Sequence, residues 1–272
     1  MERLGPSPAV VARSAAEVIE GLREGGPSVV ALSGGVDSAV MAHLLRSALG
    51  ADAHAITLTG AAVSADEVER ARAVARSVGI DHALLEADPL ADASYRSNPS
   101  NRCYFCRRTE TRAVRAWAGP RGISRFVDGV HLDDLGDDRP GLVAMGEAGF
   151  RHPLAEASWR KIDVRTYARS VDLPNWDQPS EACLASRVSH GQAISRELLE
   201  RVEAAERAVR AHGFRRVRVR TDGRSARVEV DGPEVERLRA PLTADRLVLE
   251  LRQLGFDPIT LDPLGYRARP GA

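Results

Sequence analysis

Short apolar runs alternate with stretches where apolar residues return every three or four positions through the first two thirds of the chain. The run Ser28–Leu32 is apolar, short and ends in a Ser-Gly-Gly turn, which predicts a buried strand. Ahead of it, Val11, Ala15, Val18, Ile19 and Leu22 share one helical face that stops at Gly25-Gly26. Behind it, Val40, Met41, Leu44, Leu45 and Ala48 predict a second amphipathic helix closed by Gly50. Residues 54–58 and 82–86 predict two more strands. Between them a helix starts on the capping box of Ser64 and Glu67 and ends at Gly79. A helix over about 102–117 and a strand over 125–129 follow. Strands alternating with helices imply right-handed crossovers and a parallel sheet, so the fold class expected is α/β.

The pattern changes at Ser195. Leu198, Leu199, Val202, Ala205 and Val209 mark a long helix ending at Gly213. Residues 216–230 then alternate with period two on both sides of Asp222-Gly223, a hairpin signature. A helical stretch to Gly255 and a strand over 258–261 complete a small α+β domain. The expected division is 1–192 for the parallel-sheet domain and 193–272 for the second, which would bind substrate or mediate oligomerisation.

Composition narrows the class. The chain has 272 residues, enough for a sizeable core. Its 38 basic and 38 acidic residues cancel, which disfavours an extended nucleic-acid surface. Lys161 is the only lysine, and the arginine excess reads as codon bias rather than as a site. No apolar run reaches the length of a membrane span, and the start of the chain lacks the apolar region of a secretory signal. Three cysteines, an odd number, argue against a disulfide framework and for the reducing cytoplasm. There a C-x-x-C pair is more often metal-binding or redox-active than structural.

The strongest chemical signal is "ALSGGVDSAV", residues 31–40, placed between a strand and a helix. Gly34 and Gly35 carry no Cβ, so backbone N–H groups can approach an anion closely. The helix that follows adds aligned donors and a positive dipole end. Ser33 and Ser38 add hydroxyls. No lysine follows, so this is not the Walker-type loop.

These residues closely resemble the PP-loop ATP pyrophosphatase family. The resemblance implies that Ser33, Gly34, Gly35, Asp37 and Ser38 hold the pyrophosphate of ATP, with Asp37 near Mg²⁺ and counted with the catalytic residues. It also implies that Asp128 and Gly129, in "VDGVHLDD" (127–134), line the nucleotide. Asp133 and Asp134 fit a solvated loop equally well.

Further stretches at 137–157, 172–195 and 217–220 resemble the LarE-type sulfur transferases over nearly the whole chain. That resemblance implies adenylation of a carboxylate of a pyridinium dicarboxylate mononucleotide and replacement of oxygen by sulfur. The product would be a precursor of a nickel-pincer nucleotide. It makes Cys183 the sulfur carrier and points Arg187, Arg218 and Arg220 at the substrate phosphate. Cys103 and Cys106 match the three-cysteine members of the family, which use Cys103, Cys106 and Cys183 to hold a [4Fe–4S] cluster with an open iron. The implied cofactors are ATP, Mg²⁺ and that cluster. The implied partners are a small mononucleotide and an unidentified sulfur donor, with no nucleic acid, no membrane and a homo-oligomeric, cytoplasmic protein.

Other readings stand beside this one. On cysteine spacing alone, zinc with His131, His152 or His190 as fourth ligand is as good as iron–sulfur. Cys183 could act alone as a sacrificial sulfur source, or be a plain buried cysteine. The same loop would suit tRNA thiolation, an amidating synthetase or a nucleotide-binding module without catalysis. Where family members commonly carry "PYG", this chain has Ser189-His190-Gly191. Trp117 and Trp176 read as core or interface aromatics, and Arg216 as part of a solvated strand face.

Overall fold

The computed structural model describes residues 6–136 and 139–267; Asp137 and Asp138, which open the 137–157 stretch, lie outside the described residues. In chain order the helices are α1 (Pro8–Arg23), α2 (Val36–Leu49), α3 (Ala65–Val78), α4 (Ala93–Arg96), α5 (Arg102–Ala118), α6 (Pro140–Glu147), α7 (Pro153–Glu156), α8 (Lys161–Ser170), α9 (Arg196–Ala211), α10 (Val235–Arg239) and α11 (Pro241–Gln253). The strands are β1 (Ser28–Ala31), β2 (Ala53–Thr59), β3 (Asp81–Glu86), β4 (Arg125–Val127), β5 (Phe150–Arg151), β6 (Val217–Arg220), β7 (Ala226–Val230) and β8 (Ile259–Leu261). They fall into two compact units. One comprises the chain up to Pro89 with Cys103–Glu181, the other Leu90–Arg102 with the chain from Ala182 on.

The first unit is an all-parallel sheet of five strands in the order β3-β2-β1-β4-β5. Ser28 of β1 stands opposite Ala53 on one side and Arg125 on the other. β1 is central, and Val29 and Val30 are fully buried, as expected where helices cover both faces of a parallel sheet. Leu44, Leu45, Met41 and Val40 of α2 pack with α1, α3 and α8 on one face. On the other, Val114 and Ala118 of α5 and Met145 of α6 pack over Val29, Ile56 and Phe126. Each fully buried Val, Leu or Met contributes about 1.5–3 kcal/mol relative to exposure, so α2 is a major anchor of the sheet. Ser64 caps α3 as the sequence indicates: its hydroxyl accepts from Glu67 N–H, while the Glu67 carboxylate accepts from Ser64 N–H at 3.0 Å. Strand order reverses between β1 and β4, and in such sheets ligands bind beyond the carboxyl ends of the strands at that point.

The second unit builds a three-stranded sheet, β6-β7-β8, with β6 antiparallel and β8 parallel to β7. Ser195 caps α9 by accepting from Leu198 N–H, and α9 buries Leu198, Leu199, Val202, Ala205 and Val209, the stripe seen in the sequence. The 90–102 segment is tied in by Ile194 N–H to Arg96 O at 2.8 Å and by Asn98 Nδ2 to Ser189 O at 2.8 Å. No described helix is long and apolar enough to cross a membrane.

Candidate active site

The loop between β1 and α2 is closed by its own hydroxyls. Ser38 Oγ donates to Gly35 O at 3.0 Å and accepts from Ser33 N–H at 3.2 Å; Ser33 Oγ lies 3.2 Å from it. Two loop carbonyls are held from outside: Thr57 Oγ1 donates to Leu32 O at 2.6 Å, and the buried Asn175 donates through Nδ2 to Gly34 O at 2.8 Å. With carbonyls tied back, the N–H groups of the first turn of α2, which have no intrahelical acceptor, present an anion site. Gly34 has φ +80°, and a Cβ there would stand 2.9 Å from both Glu67 O and Ala71 N. The glycine is therefore required twice, by backbone conformation and by the close approach of α3.

Gly129 follows β4, and a Cβ on it would stand 2.5 Å from the carbonyl carbon of Asp37. This backbone contact presses the end of β4 against the first turn of α2. Gly129→Ala is expected to displace Asp37 and Ser38, lowering stability by about 1–3 kcal/mol as overpacking does and weakening nucleotide binding. Thermal melts and an ATP titration on the variant check this.

Asp37 points at Lys161. Lys161 Nζ donates to both carboxylate oxygens at 2.6 and 2.7 Å. His131 Nε2 lies 3.8 Å from Asp37 Oδ1. The sole lysine of the chain thus meets the loop aspartate from the first residue of α8, a role that sequence inspection did not assign to it. Its own N–H donates to Asp133 at 2.8 Å, so Asp133 caps α8. Asp134 accepts from His131 N–H and pairs with Arg139 at 2.7 Å. Both acids thus accept hydrogen bonds from groups of the chain itself. Asp128 is buried; its Oδ1 accepts from Val130 N–H and lies 2.8 Å from His152 Nδ1, which raises the pKa of His152 against the effect of its burial. Among the described residues Asp128 Oδ2 has no partner. The cleft over the loop is completed by Glu67 and Arg70 of α3 and by residues 178–181, where Arg70 pairs with Glu181. Burial pushes the Glu67 carboxyl up, its bond from Ser64 N–H pulls it down, and the nearby Glu181 adds to the rise.

Cys103 and Cys106 sit three residues apart at the start of α5, hence on one face of the helix. Cys103 is exposed; Cys106 is half-buried and donates to Glu110 Oε1 at 3.3 Å. Among the described residues no group of three or more His, Cys, Asp or Glu side chains is assembled around a common point.

Cys183 belongs to the second unit, half-buried, at the head of the short turn Leu184–Arg187. Arg187 fixes this turn. Its Nη1 donates to the carbonyls of Ala182 and Cys183, and its Nε and Nη2 grip Glu206 at 2.7 and 3.2 Å. Glu206, buried on α9, also accepts from Val219 N–H of β6 and from Arg210. Arg220 is paired with Glu229 at 2.6 Å. Arg218 makes no ion pair among the described residues and instead lies 4.3 Å over the Tyr266 ring. Burial, then the neighbouring Arg187, lowers its pKa. His190, at the position of the family's aromatic, places Nδ1 3.4 Å from Arg102 Nη1. Arg216 pairs with Asp231, Trp117 is partly buried against the sheet core, and Trp176 is 38% exposed under Arg169.

A family model for asparagine synthase matches residues 15–98, the segment holding the loop and the first three strands. An uncharacterised protein of Synechocystis sp. is 38% identical over 89% of this chain and 90% of its own length. The pyridinium-3,5-bisthiocarboxylic acid mononucleotide synthase of Lactiplantibacillus plantarum is 31% identical over 96% of this chain and 94% of its own length. A tRNA-specific 2-thiouridylase of Xanthobacter autotrophicus is 31% identical over 65% of this chain and 55% of its own.

Proposed function

The chain belongs to the family of the pyridinium-3,5-bisthiocarboxylic acid mononucleotide synthase, ATP-dependent sulfurtransferases built on a PP-loop, and on that premise we propose that it thiolates a pyridinium dicarboxylate mononucleotide. One observation carries the reading of the nucleotide half. The Ser33–Ser38 loop has its carbonyls drawn back and its helix N-terminus open, with one cationic side chain, Lys161, at its acidic residue. A substrate carboxylate oxygen attacks the α-phosphorus of ATP, the bond to the β,γ-pyrophosphate breaks, and an acyl adenylate forms. A sulfur nucleophile then attacks the acyl carbon and AMP leaves. In this scheme the loop N–H groups and Lys161 take the charge that develops on the leaving pyrophosphate, fixed in place before the reaction. Mg²⁺, held through Asp37, would supply further charge neutralisation.

Three thiols are the right donor set for a [4Fe–4S] cluster with one open iron. Cys103 and Cys106 share a helix face in the first turns of α5. Cys103, Cys106 and Cys183 would hold the cluster, and its chemistry when bound is to furnish sulfide in place of oxygen. The chain's own contribution is to present Cys183 rigidly, through Arg187 and Glu206. The sacrificial alternative, in which Cys183 gives up its own sulfur, makes different predictions and is treated below.

Arg218 is the best candidate for the substrate phosphate, because Arg187 and Arg220 already face carboxylates. Losing a charge-assisted contact costs about 1.5–3 kcal/mol, so Arg218→Ala is expected to raise the substrate KM by roughly 10–150-fold with ATP binding unchanged. Arg220→Ala should do less. Steady-state kinetics on both variants, with an ATP titration as control, decide it.

The test of the whole reading is pyrophosphate release from ATP with pyridinium dicarboxylate mononucleotide, with tRNA, and with neither. Release stimulated by the mononucleotide is expected. Stimulation by tRNA alone would transfer the protein to the thiouridylase class, and absence of release under every condition would leave a nucleotide-binding module.

A further inference from the structure

The cleft over the phosphate loop holds two side-chain cations, and both are occupied by carboxylates of the protein itself. Lys161 is paired with Asp37. Arg70, on α3, is paired with Glu181, each about a quarter exposed and both lining the same cleft as Ser33, Gly34 and Gly35. A carboxylate in a cleft shaped for a polyphosphate is out of place: Glu181 repels the ligand for which the loop N–H groups are arranged, and it takes the cation that the ligand would use. Glu67, half-buried in the same cleft, feels the same negative charge. Arg70 carries a planar fork suited to phosphate oxygens. Its backbone lies where α3 meets Gly34, since a Cβ on Gly34 would stand 3.1 Å from Arg70 Cβ. It is therefore seated against the loop and needs only to exchange one anion for another.

Glu181 is also two residues from Cys183 along the chain. The carbonyls of Ala182 and Cys183 are gripped by Arg187 immediately beyond it. The stretch leading to the cysteine is therefore fastened at one end by the Arg187 clamp and at the other by Arg70.

Building on the ATP-site reading above, we propose that Arg70 is a phosphate-binding residue whose place Glu181 holds in the absence of nucleotide. The arriving triphosphate displaces Glu181 and so frees the Arg70 end of the stretch that leads to Cys183, while the Arg187 clamp on the Ala182 and Cys183 carbonyls stays closed. The approach to the sulfur-bearing residue is thereby held on its Arg70 side until an adenylating nucleotide is in the cleft. No bond is made or broken in this step; one ion pair is exchanged for another.

The test uses the full chain as isolated, with Mg²⁺ and α,β-methylene-ATP, which binds without being cleaved at the α-phosphorus. Affinity is read by calorimetry, and hydrogen exchange is read at the amides of Glu181–Leu184, a readout indifferent to what the thiols hold. In the wild type the analogue is expected to speed exchange there several-fold, whereas simple coverage by a ligand would slow it. Glu181→Gln should bind the analogue several-fold more tightly and exchange fast with or without it. Arg70→Met should bind it at least tenfold more weakly, and Arg70→Lys should recover part of the loss. Slowed or unchanged exchange in a wild type that binds the analogue overturns the latch while leaving the ATP site standing. Unchanged affinity in Glu181→Gln overturns it as well. A wild type that does not bind the analogue overturns the ATP-site reading, and the latch with it.

Discussion

Asp37→Asn is expected to reduce pyrophosphate release by about 10³-fold, on the order of 4 kcal/mol of transition-state stabilisation, with the fold left intact. The structural basis is the asymmetry between what Asp37 does for stability and what it does for chemistry. Its ion pair with Lys161 is about a quarter exposed on each side, and pairs of that kind contribute about 0–1 kcal/mol to folding. Asp37 fills no core position; the buried residues around it are Val36, Ser38 and Ala39. In the proposed reaction, by contrast, it stands at the first turn of the helix that would face the pyrophosphate, and its loss would remove the proposed metal contact and free Lys161 from its position. Lys161→Met should give a comparable loss through the other half of the pair. Melting temperatures within a few degrees of wild type, together with a collapsed rate, are the expected result. Near-normal pyrophosphate release in either variant would sink the assignment of this loop.

The second large effect concerns the cysteines. If the three thiols hold one cluster, replacing any one of Cys103, Cys106 or Cys183 by Ala removes both the iron and multiple turnover. The sacrificial alternative predicts a different pattern: Cys183→Ala alone is inactive, Cys103→Ala and Cys106→Ala each keep a single turnover, and the spent chain is lighter by one H₂S. Zinc would leave a colourless protein with stoichiometric metal after anaerobic preparation. Iron and sulfide analysis with intact-mass measurement on the three variants separates the outcomes. Arg187 binds the backbone carbonyls of the Cys183 turn, contacts that Cys183→Ala retains.

The parallel sheet was legible because its strands are short apolar runs between well-marked helix ends, and the capping box at Ser64 and the hairpin around Asp222-Gly223 form as their residues dictate. β5 was not legible: it is two residues long, Phe150 and Arg151, and only pairing with β4 makes it a strand. The loop stands out in the sequence as a candidate phosphate site because donors, glycines and helix start are contiguous. What completes it is not. Lys161 reaches Asp37 across 124 positions, and Asn175 reaches Gly34 across 141. A lone lysine or asparagine carries no local pattern, so their roles arise only when the sheet brings α8 and the chain after it back to the loop. Glu206 was hidden differently. It sits in the apolar stripe of α9, and the sequence gives no hint that Arg187 and Val219 N–H satisfy it. The one sequence signal that bears on Lys161 is its rarity, a single lysine among 38 basic residues.

That solitary lysine makes the protein a self-labelled instrument. Within this sequence a reagent selective for primary amines has one side-chain target, the Nζ that grips Asp37. Reductive methylation with ¹³C-formaldehyde would then give a spectrum with one side-chain resonance, and its shift would follow the Asp37 ion pair directly as ATP, Mg²⁺ or substrate is added.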